Sequence, residues 1–103
     1  MPVFKIEKLE ADCTKVFSGA GLGAEEAKLI AHSLVLANVM GHDSHGVIRV
    51  VQYCNALSEG RVKPGQHISV KKEADASAVV DGGWGFGQTI CHASMDLAIE
   101  KAR

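Results

Sequence analysis

The sequence has little of what marks several large classes of protein. Of its 103 residues only 5% are aromatic, and Lys plus Arg (11) nearly balance Asp plus Glu (12), for a formal net charge of -1. Nucleic acids and anionic membrane surfaces are bound by clusters of basic side chains, so the lack of such a cluster argues against both as partners. Hydrophobic residues still make up 47% of the chain, which is typical of a folded globular domain.

Long hydrophobic runs and paired cysteines are missing too. The longest strongly apolar stretch, residues 34–40, is broken by Asn38 and is too short to cross a bilayer, and the N-terminus shows no apolar core of a signal peptide. The cysteines have no CxxC spacing, which predicts reduced, buried thiols and a cytoplasmic location. They are Cys13, Cys54 and Cys91.

Helical periodicity dominates the first part of the chain. Apolar residues recur at helical spacing over residues 6–19, and the glycines at 19, 21 and 23 should end that helix. A second helix is predicted from about Gly23 to about Met40. Because it is apolar nearly all round, it should be the most buried helix.

A third helix is predicted after a short polar insert. Asp43 and Ser44 are both good N-cap residues, so the helix should begin there, run to Glu59 and stop at Gly60. Its predicted core face consists of Val47, Val50, Val51, Cys54 and Leu57.

The period changes after Pro64. Alternation near residues 68–71 and 78–80 predicts two short strands, which form a hairpin in the simplest interpretation. The run Gly82-Gly83-Trp84-Gly85-Phe86-Gly87 is then predicted to be a tight strand-to-helix turn, anchored by Trp84 and Phe86 in a core or interface. A phosphate-binding role is the less favoured alternative, because the G-x-G-x-x-G spacing fails at Gln88. A last helix should begin near that glutamine.

This order of elements predicts an α/β protein, which is α+β when the segment is taken alone. Residues 1–65 form the predicted helical segment, and residues 66–103 the first strands and helix of a larger domain that we expect to continue beyond them. The chain shows no internal repeat.

The most unusual stretch is Gly41-His42-Asp43-Ser44-His45-Gly46-Val47-Ile48-Arg49. In a helix, His45, Arg49 and Tyr53 lie four residues apart along one face. Arginine holds a carboxylate through two parallel hydrogen bonds, and histidine gives or takes a proton near neutral pH. Ser44 would orient His45 or contact the substrate. This chemistry suits a substrate with a carboxylate beside a reacting hydroxyl or carbonyl.

Other interpretations of the same stretch stay open from the residues alone. The polar residues before the helix can be simple caps, with Arg49 solvated on the surface. A metal site built on His42, Asp43 and His45 lacks a further ligand in a recognisable pattern. A hydrolase based on Ser44 is weak, because its histidine is the next residue and no G-x-S-x-G elbow is present.

The stretch from Gly41 to Arg49, with Tyr53 after it, resembles the signature of the malate/L-lactate dehydrogenase family. A second run, Val80-Asp81-Gly82-Gly83-Trp84-Gly85-Phe86-Gly87-Gln88, and the chain's last residues, 98–103, resemble the next block of that family at the expected separation. Two blocks in the right order make the resemblance more specific than either alone. It covers essentially the whole chain.

The resemblance implies an enzyme that transfers hydride between NAD or NADP and a small 2-hydroxy or 2-keto acid such as malate or lactate, on a nucleotide-binding fold that is not a Rossmann fold. It places the acid/base histidine at His45, with Ser44 in a relay, and the carboxylate-binding arginine at Arg49. Family members are several times longer, so the acidic partner of the relay and most cofactor-binding residues are not in this chain. The 103 residues alone are therefore expected to be inactive.

The apolar last helix supports a second, non-catalytic hypothesis. The apolar last helix has nothing after it to cover its face, and uncovered apolar faces commonly find a partner. The chain would then be a helical interaction module that keeps the motif as scaffold. Homo-oligomer formation is expected under either hypothesis.

Overall fold

A computed structural model describes residues 2–103 and confirms the predicted order of three helices, a hairpin and a helix. The elements are α1 (Ile6–Gly19), α2 (Ala24–Val39), α3 (Val50–Ser58), β1 (Ser69–Ala74), β2 (Ser77–Asp81) and α4 (Gly87–Lys101). Two short 3-10 turns, Asp43–His45 and Val47–Arg49, lie between α2 and α3. Over these residues, no helix has the length and apolar character needed to span a membrane.

Helix α1 ends where its glycines predicted, and the geometry of that end fixes how α2 returns. Gly21 adopts a φ of 110°, a conformation that glycine reaches without strain. The backbone N–H of Leu22 then donates to the carbonyl of Phe17 at 3.1 Å, which closes the helix with a Schellman-type bond. Both of these side chains lie in the core, so the turn and the hydrophobic contact support each other.

The core lies between α1 and α2, and Phe86 from the later part of the chain completes it. Helix α2 contributes the largest share, as its apolar sequence predicted. Phe86, from the glycine-rich loop, is only 4% exposed and joins the same cluster, so that loop is held against the helices. The buried apolar residues are Cys13, Phe17, Leu22, Ala27, Ile30, Ala31, Leu34, Val35 and Phe86.

The predicted start of the third helix was wrong. Residues 43–49 form two 3-10 turns separated at Gly46, whose ψ of -149° is incompatible with a helix, and the α-helix begins only at Val50. Because a 3-10 turn advances about 120° per residue instead of 100°, the later side chains point in other directions than a continuous helix predicts. Val51, placed in the predicted core, is 69% exposed. Tyr53 packs against the core instead.

The hairpin is attached to the helices through α4. Strands β1 and β2 pair antiparallel, with an irregularity in register between Val70 and Lys72. All residues of β1 are exposed, whereas Ala78 and Val80 of β2 are half-buried. Lys101 of α4 donates to the carbonyl of Ala74 at 2.8 Å, which ties the tip of the hairpin to the end of the helix.

Phe86 anchors the glycine-rich loop in the core, as predicted, whereas Trp84 does not lie in the core, and its alternative predicted place in an interface stays a prediction. Trp84 is 78% exposed and has a φ of 61°, at a turn that closes with a hydrogen bond from Gly85 N–H to the Gly82 carbonyl. The backbone conformation of this turn directs the indole to the surface. Trp84 contributes its carbonyl, which accepts from the Lys63 N–H at 2.9 Å.

A glutamate joins the early helices to the last one. Glu26 of α2 accepts hydrogen bonds from the backbone N–H of Gly65 at 2.8 Å and from the hydroxyl of Thr89 at 2.6 Å. One carboxylate therefore fixes both the turn after α3 and the first turn of α4. The proposed division into residues 1–65 and 66–103 stays a prediction.

All three cysteines are free thiols, but the prediction that all are buried holds only in part. Cys13 is buried, Cys54 is half-buried and Cys91 is exposed on α4. Burial raises the pKa of the Cys13 thiol, and the negative charge of Asp12 raises it further. The thiolate is the reactive form, so a raised pKa and burial both slow its chemistry.

We therefore expect the cysteines to react with iodoacetamide in the order of their exposure. At pH 8, mass spectrometry of peptides should show Cys91 alkylated first and Cys13 last, the latter only as the chain unfolds. Addition of urea should bring the three rates together. Equal rates for Cys13 and Cys91 without denaturant would contradict the packing of α1 against α2.

Candidate active site

A cleft of about 430 Å³ brings together residues from α2, both ends of the motif, α3 and α4. It contains His45 and Arg49, as the sequence predicted, and Tyr53 on the same wall. The other lining residues are Ser33, Ala37, Gln52 and Gln88. The polar stripe of the motif therefore faces a concave surface, although it is not carried on one continuous helix.

The end of α2 sets the path of the motif. Gly41 has a φ of 84°, and the N–H of His42 donates to the Ala37 carbonyl at 2.8 Å, which repeats the Schellman-type closure seen at α1. The chain thereby reverses and passes back across the end of α2. Residues 43–49 are held beside the helix that precedes them.

Asn38 holds this reversed segment from both sides of His45. Its Nδ2 donates to the Asp43 carboxylate at 2.8 Å, and its Oδ1 accepts from the backbone N–H of Val47 at 2.8 Å. Gly46 lies directly against the Asn38 amide, where a Cβ would overlap the side chain. This contact explains why the motif carries glycine at that position and why no continuous helix forms there.

Ser44 connects the two residues predicted to carry the chemistry. Its hydroxyl lies 2.9 Å from Nδ1 of His45, and its backbone carbonyl accepts from Nε of Arg49 at 2.7 Å. The hydrogen bond at Nδ1 leaves Nε2 of His45 without a protein partner in residues 2–103. That second nitrogen is the one available to a bound molecule.

Among the described residues, no carboxylate lies within ion-pair distance of Arg49. The ion pairs within residues 2–103 are Lys8–Asp12, His32–Glu10, Arg61–Glu59 and Lys101–Glu73, and none involves the motif. The lining of the cleft contains no Asp or Glu. The cleft therefore carries the positive charge of one half-buried guanidinium, an arrangement that attracts an anion.

Tyr53 and Gln88 form the far wall of the cleft. The Tyr53 ring packs against Phe17 and Phe86, with centroids 6.3 and 5.5 Å apart, and its hydroxyl accepts from Nε2 of Gln88 at 3.1 Å. One side of this tyrosine therefore belongs to the core and its hydroxyl to the cleft. The first turn of α4 is brought to the site by the same contact.

Two alternative roles for the motif do not fit its geometry. Asp43 and Ser44 do not cap a helix, since the carboxylate binds Asn38 and the hydroxyl contacts His45. In the part of the chain that is described, no three His, Cys, Asp or Glu side chains are grouped so that they can hold a metal ion. His42 is exposed and lines a shallow depression beside the cleft.

Packing accounts for glycines of the glycine-rich loop, and the less favoured phosphate-binding role stays a hypothesis. A Cβ on Gly83 would lie 2.7 Å from Oε1 of Gln66, and one on Gly82 would lie 2.9 Å from the Ile90 side chain. The Ile90 side chain occupies the space beside Gly82, and Gly83 has a φ of 61°, which favours glycine. The cofactor-binding residues stay unknown.

The sequence also left four polar residues of the site unrecognised. Gln52, Gln88 and Ser33 have no distinctive pattern, because single amides and hydroxyls are common on helix surfaces. Asn38 did give a signal: it interrupts the most apolar run of the chain, and a polar side chain on a buried helix needs hydrogen-bond partners.

Comparison with known proteins identifies the family of the chain. A sequence model of the family described as malate/L-lactate dehydrogenase matches residues 4–103. The chain belongs to this family. Among curated relatives, hydroxycarboxylate dehydrogenase B of Escherichia coli K12 is 39% identical over 99 residues, 96% of this chain and 27% of that protein. L-sulfolactate dehydrogenase of Methanocaldococcus jannaschii is 41% identical over 97 residues, 94% of this chain and 27% of its own length.

Solved structures of the family have the same fold in this region. The chain superposes on malate dehydrogenase from Pyrococcus horikoshii OT3 with a TM-score of 0.90 and 36% identity, over 94% of this chain and 28% of the other. The family assigned here is thus one of dehydrogenases, and the chain spans about a quarter of the length of the relatives it matches. The sequence resemblance to this family is confirmed.

Proposed function

We propose that this chain supplies the substrate side of an oxidoreductase that transfers hydride between NAD or NADP and a small 2-hydroxy or 2-keto acid. Malate, lactate and sulfolactate are the candidate acids, since the relatives are named for such compounds. The observation that carries the proposal is the pairing, in one cleft, of an unneutralised Arg49 with the free Nε2 of His45. A 2-hydroxy acid presents a carboxylate and a hydroxyl on adjacent carbons, matching these two groups.

Arg49 binds the carboxylate. Its Nε is already used by the Ser44 carbonyl and Nη1 donates to Gln52, so the Nη2 side is left for the substrate. Charge-assisted hydrogen bonds of this kind are about twice as strong as neutral ones. They place the hydroxyl-bearing carbon at a fixed distance from the guanidinium.

His45 moves the proton. In the oxidation direction, the neutral imidazole takes the hydroxyl proton of the substrate on Nε2 as the carbon–oxygen double bond forms. A nicotinamide cofactor bound beside this carbon would supply the hydride acceptor. Ser44 accepts from Nδ1–H, which keeps the ring oriented and stabilises the imidazolium that results. Reduction of the 2-keto acid uses the same groups in reverse.

The nicotinamide is expected to be bound mainly by the part of the family fold that this chain does not span. The chain covers 27% of hydroxycarboxylate dehydrogenase B, so most of the family fold lies outside it. The chain alone should therefore have no turnover. We call the chain joined to the rest of its gene the extended enzyme; if the reading frame ends at Arg103, the remainder of hydroxycarboxylate dehydrogenase B is joined instead.

An interaction role is the second candidate function, and homo-oligomer formation is proposed with either. Several apolar side chains of α3, α4 and the turn before α3 are well exposed, which favours a protein partner. Sedimentation of the purified chain tests this: a dimer at micromolar concentration supports self-association, and a monomer opposes it. The residues are Ile48, Val51, Met95 and Ile99, exposed by 72, 69, 61 and 48%.

Replacement of Arg49 with lysine should mainly weaken substrate binding. An ammonium keeps the charge but cannot reproduce the planar guanidinium, which is held by Ser44 and Gln52 while Nη2 faces the substrate, so KM should rise roughly tenfold while kcat changes little. Steady-state kinetics of the extended enzyme measure both constants.

The matched control is Arg61→Lys, because Arg61 forms a surface ion pair with Glu59 at 2.6 Å, away from the cleft. We expect wild-type constants for that variant. A wild-type KM in Arg49→Lys would remove the proposed carboxylate contact.

A further inference from the structure

Both protein groups that hold the guanidinium of Arg49 are electrically neutral. Nε donates to the backbone carbonyl of Ser44, and Nη1 donates to the side-chain amide oxygen of Gln52, each at 2.7 Å. Nη2 has no protein partner within residues 2–103. The guanidinium is thus fixed in position by two contacts and still keeps its full charge.

The choice of an amide at position 52 has an electrostatic consequence. A glutamate there has nearly the same shape and accepts the same hydrogen bond, but it would form an ion pair with Arg49. That ion pair would neutralise the charge that faces the cleft and would compete with a bound carboxylate. Glutamine fixes the position of the Arg49 guanidinium through a hydrogen bond and, being neutral, does not compete with a bound carboxylate.

Gln52 makes little contribution to the packing of the fold apart from its hydrogen bond with Arg49. It is exposed, it does not belong to the hydrophobic core, and its amide oxygen is used by Arg49. The neighbouring polar residue on the same helix, Asn55, is exposed as well and has no side-chain hydrogen bond among the described residues. The hydrogen bond of Gln52 to Arg49 is therefore best explained as a contact that fixes the guanidinium in position.

We infer that Gln52 is a positioning residue for Arg49, and that its neutrality makes the cleft selective for anionic substrates. This inference rests on the proposed function, in which Arg49 binds the substrate carboxylate. Gln52 itself does not touch the reacting atoms. Its effect is expected in KM for the acid and not in the proton transfer at His45.

The test is Gln52→Glu in the extended enzyme. Because the variant keeps the size and the hydrogen-bond acceptor, a merely structural role predicts unchanged kinetics and an unchanged or higher Tm. We expect instead a KM for the 2-hydroxy acid raised roughly 10- to 100-fold, with kcat within about twofold of wild type. Asn55→Asp, which adds the same negative charge one turn further along α3, should leave KM unchanged.

The outcomes separate this inference from the proposed function. If Arg49→Lys raises KM but Gln52→Glu does not, the role of Gln52 is overturned and the carboxylate contact stands. If neither variant changes KM, the proposed function itself fails. If Gln52→Glu lowers the Tm, Gln52→Ala is measured in its place. A several-fold rise in KM at constant kcat in that variant supports the inference, and a wild-type KM overturns it.

Discussion

Replacement of His45 with alanine in the extended enzyme should lower kcat by roughly 10²- to 10⁴-fold, the usual contribution of a positioned acid or base. Without the imidazole, the hydroxyl proton of the substrate must pass to water in a cleft whose other groups are amides, hydroxyls and a guanidinium. KM should change little, because Arg49 remains in place. Steady-state rates in both reaction directions measure the loss.

The neighbouring histidine provides the matched control. His42 is exposed and lies three residues away, and although it shares the neighbouring depression with His45, it does not line the cleft, so His42→Ala removes the same kind of side chain outside the proposed site. Its kcat should stay within about twofold of wild type. A kcat for His45→Ala equal to that of His42→Ala would assign the proton transfer to some other group.

Replacement of Phe17 with alanine should destabilise the chain by about 3–5 kcal/mol, the range found for buried aromatic residues. Phe17 is completely buried between α1 and α2, and its ring packs against Tyr53. Because small domains unfold with only about 5–15 kcal/mol, this loss is a large part of the total. Urea unfolding of the 103-residue chain, followed by circular dichroism, measures the free energy of unfolding.

Phe4→Ala makes the same chemical change at a residue that is 60% exposed. We expect its free energy of unfolding to fall by less than about 1 kcal/mol, since little apolar area returns to water. Equal losses in the two variants would contradict the placement of the core between α1 and α2. A loss at Phe17 that is below the expected range but still above that of Phe4→Ala would mean that the neighbouring helices move to fill the cavity left by the ring.

The parts of the fold that the sequence predicted are those governed by local rules. Helix α2 follows from its apolar composition, and the end of α1 follows from Gly21, whose positive φ closes the helix. The start of α3 was predicted wrongly for a non-local reason. Good N-cap residues stand at the expected place, but Asn38, from the preceding helix, binds Asp43 and Val47 and holds the segment between them in 3-10 turns.

The same division applies to the site. His45, Ser44 and Arg49 could be identified because their side chains are chemically distinctive and close together in the sequence. Gln52 and Gln88 could not, because an amide gains significance only from what it contacts, and the partner of Gln88 lies 35 residues away. The packing of Tyr53 against the core could not be predicted because the 3-10 turns change the direction in which the later side chains point. Trp84 is absent from the core because the backbone conformation of its turn directs the indole to the surface.

The most direct test of the whole account is a nicotinamide turnover assay on the chain and on the extended enzyme. Malate, lactate and sulfolactate would each be offered with NAD and with NADP, and the absorbance of the reduced nicotinamide would be followed. We predict no turnover by the 103-residue chain, and turnover by the extended enzyme that falls sharply in His45→Ala. An extended enzyme that is folded but inactive with every acid and both cofactors would contradict the account.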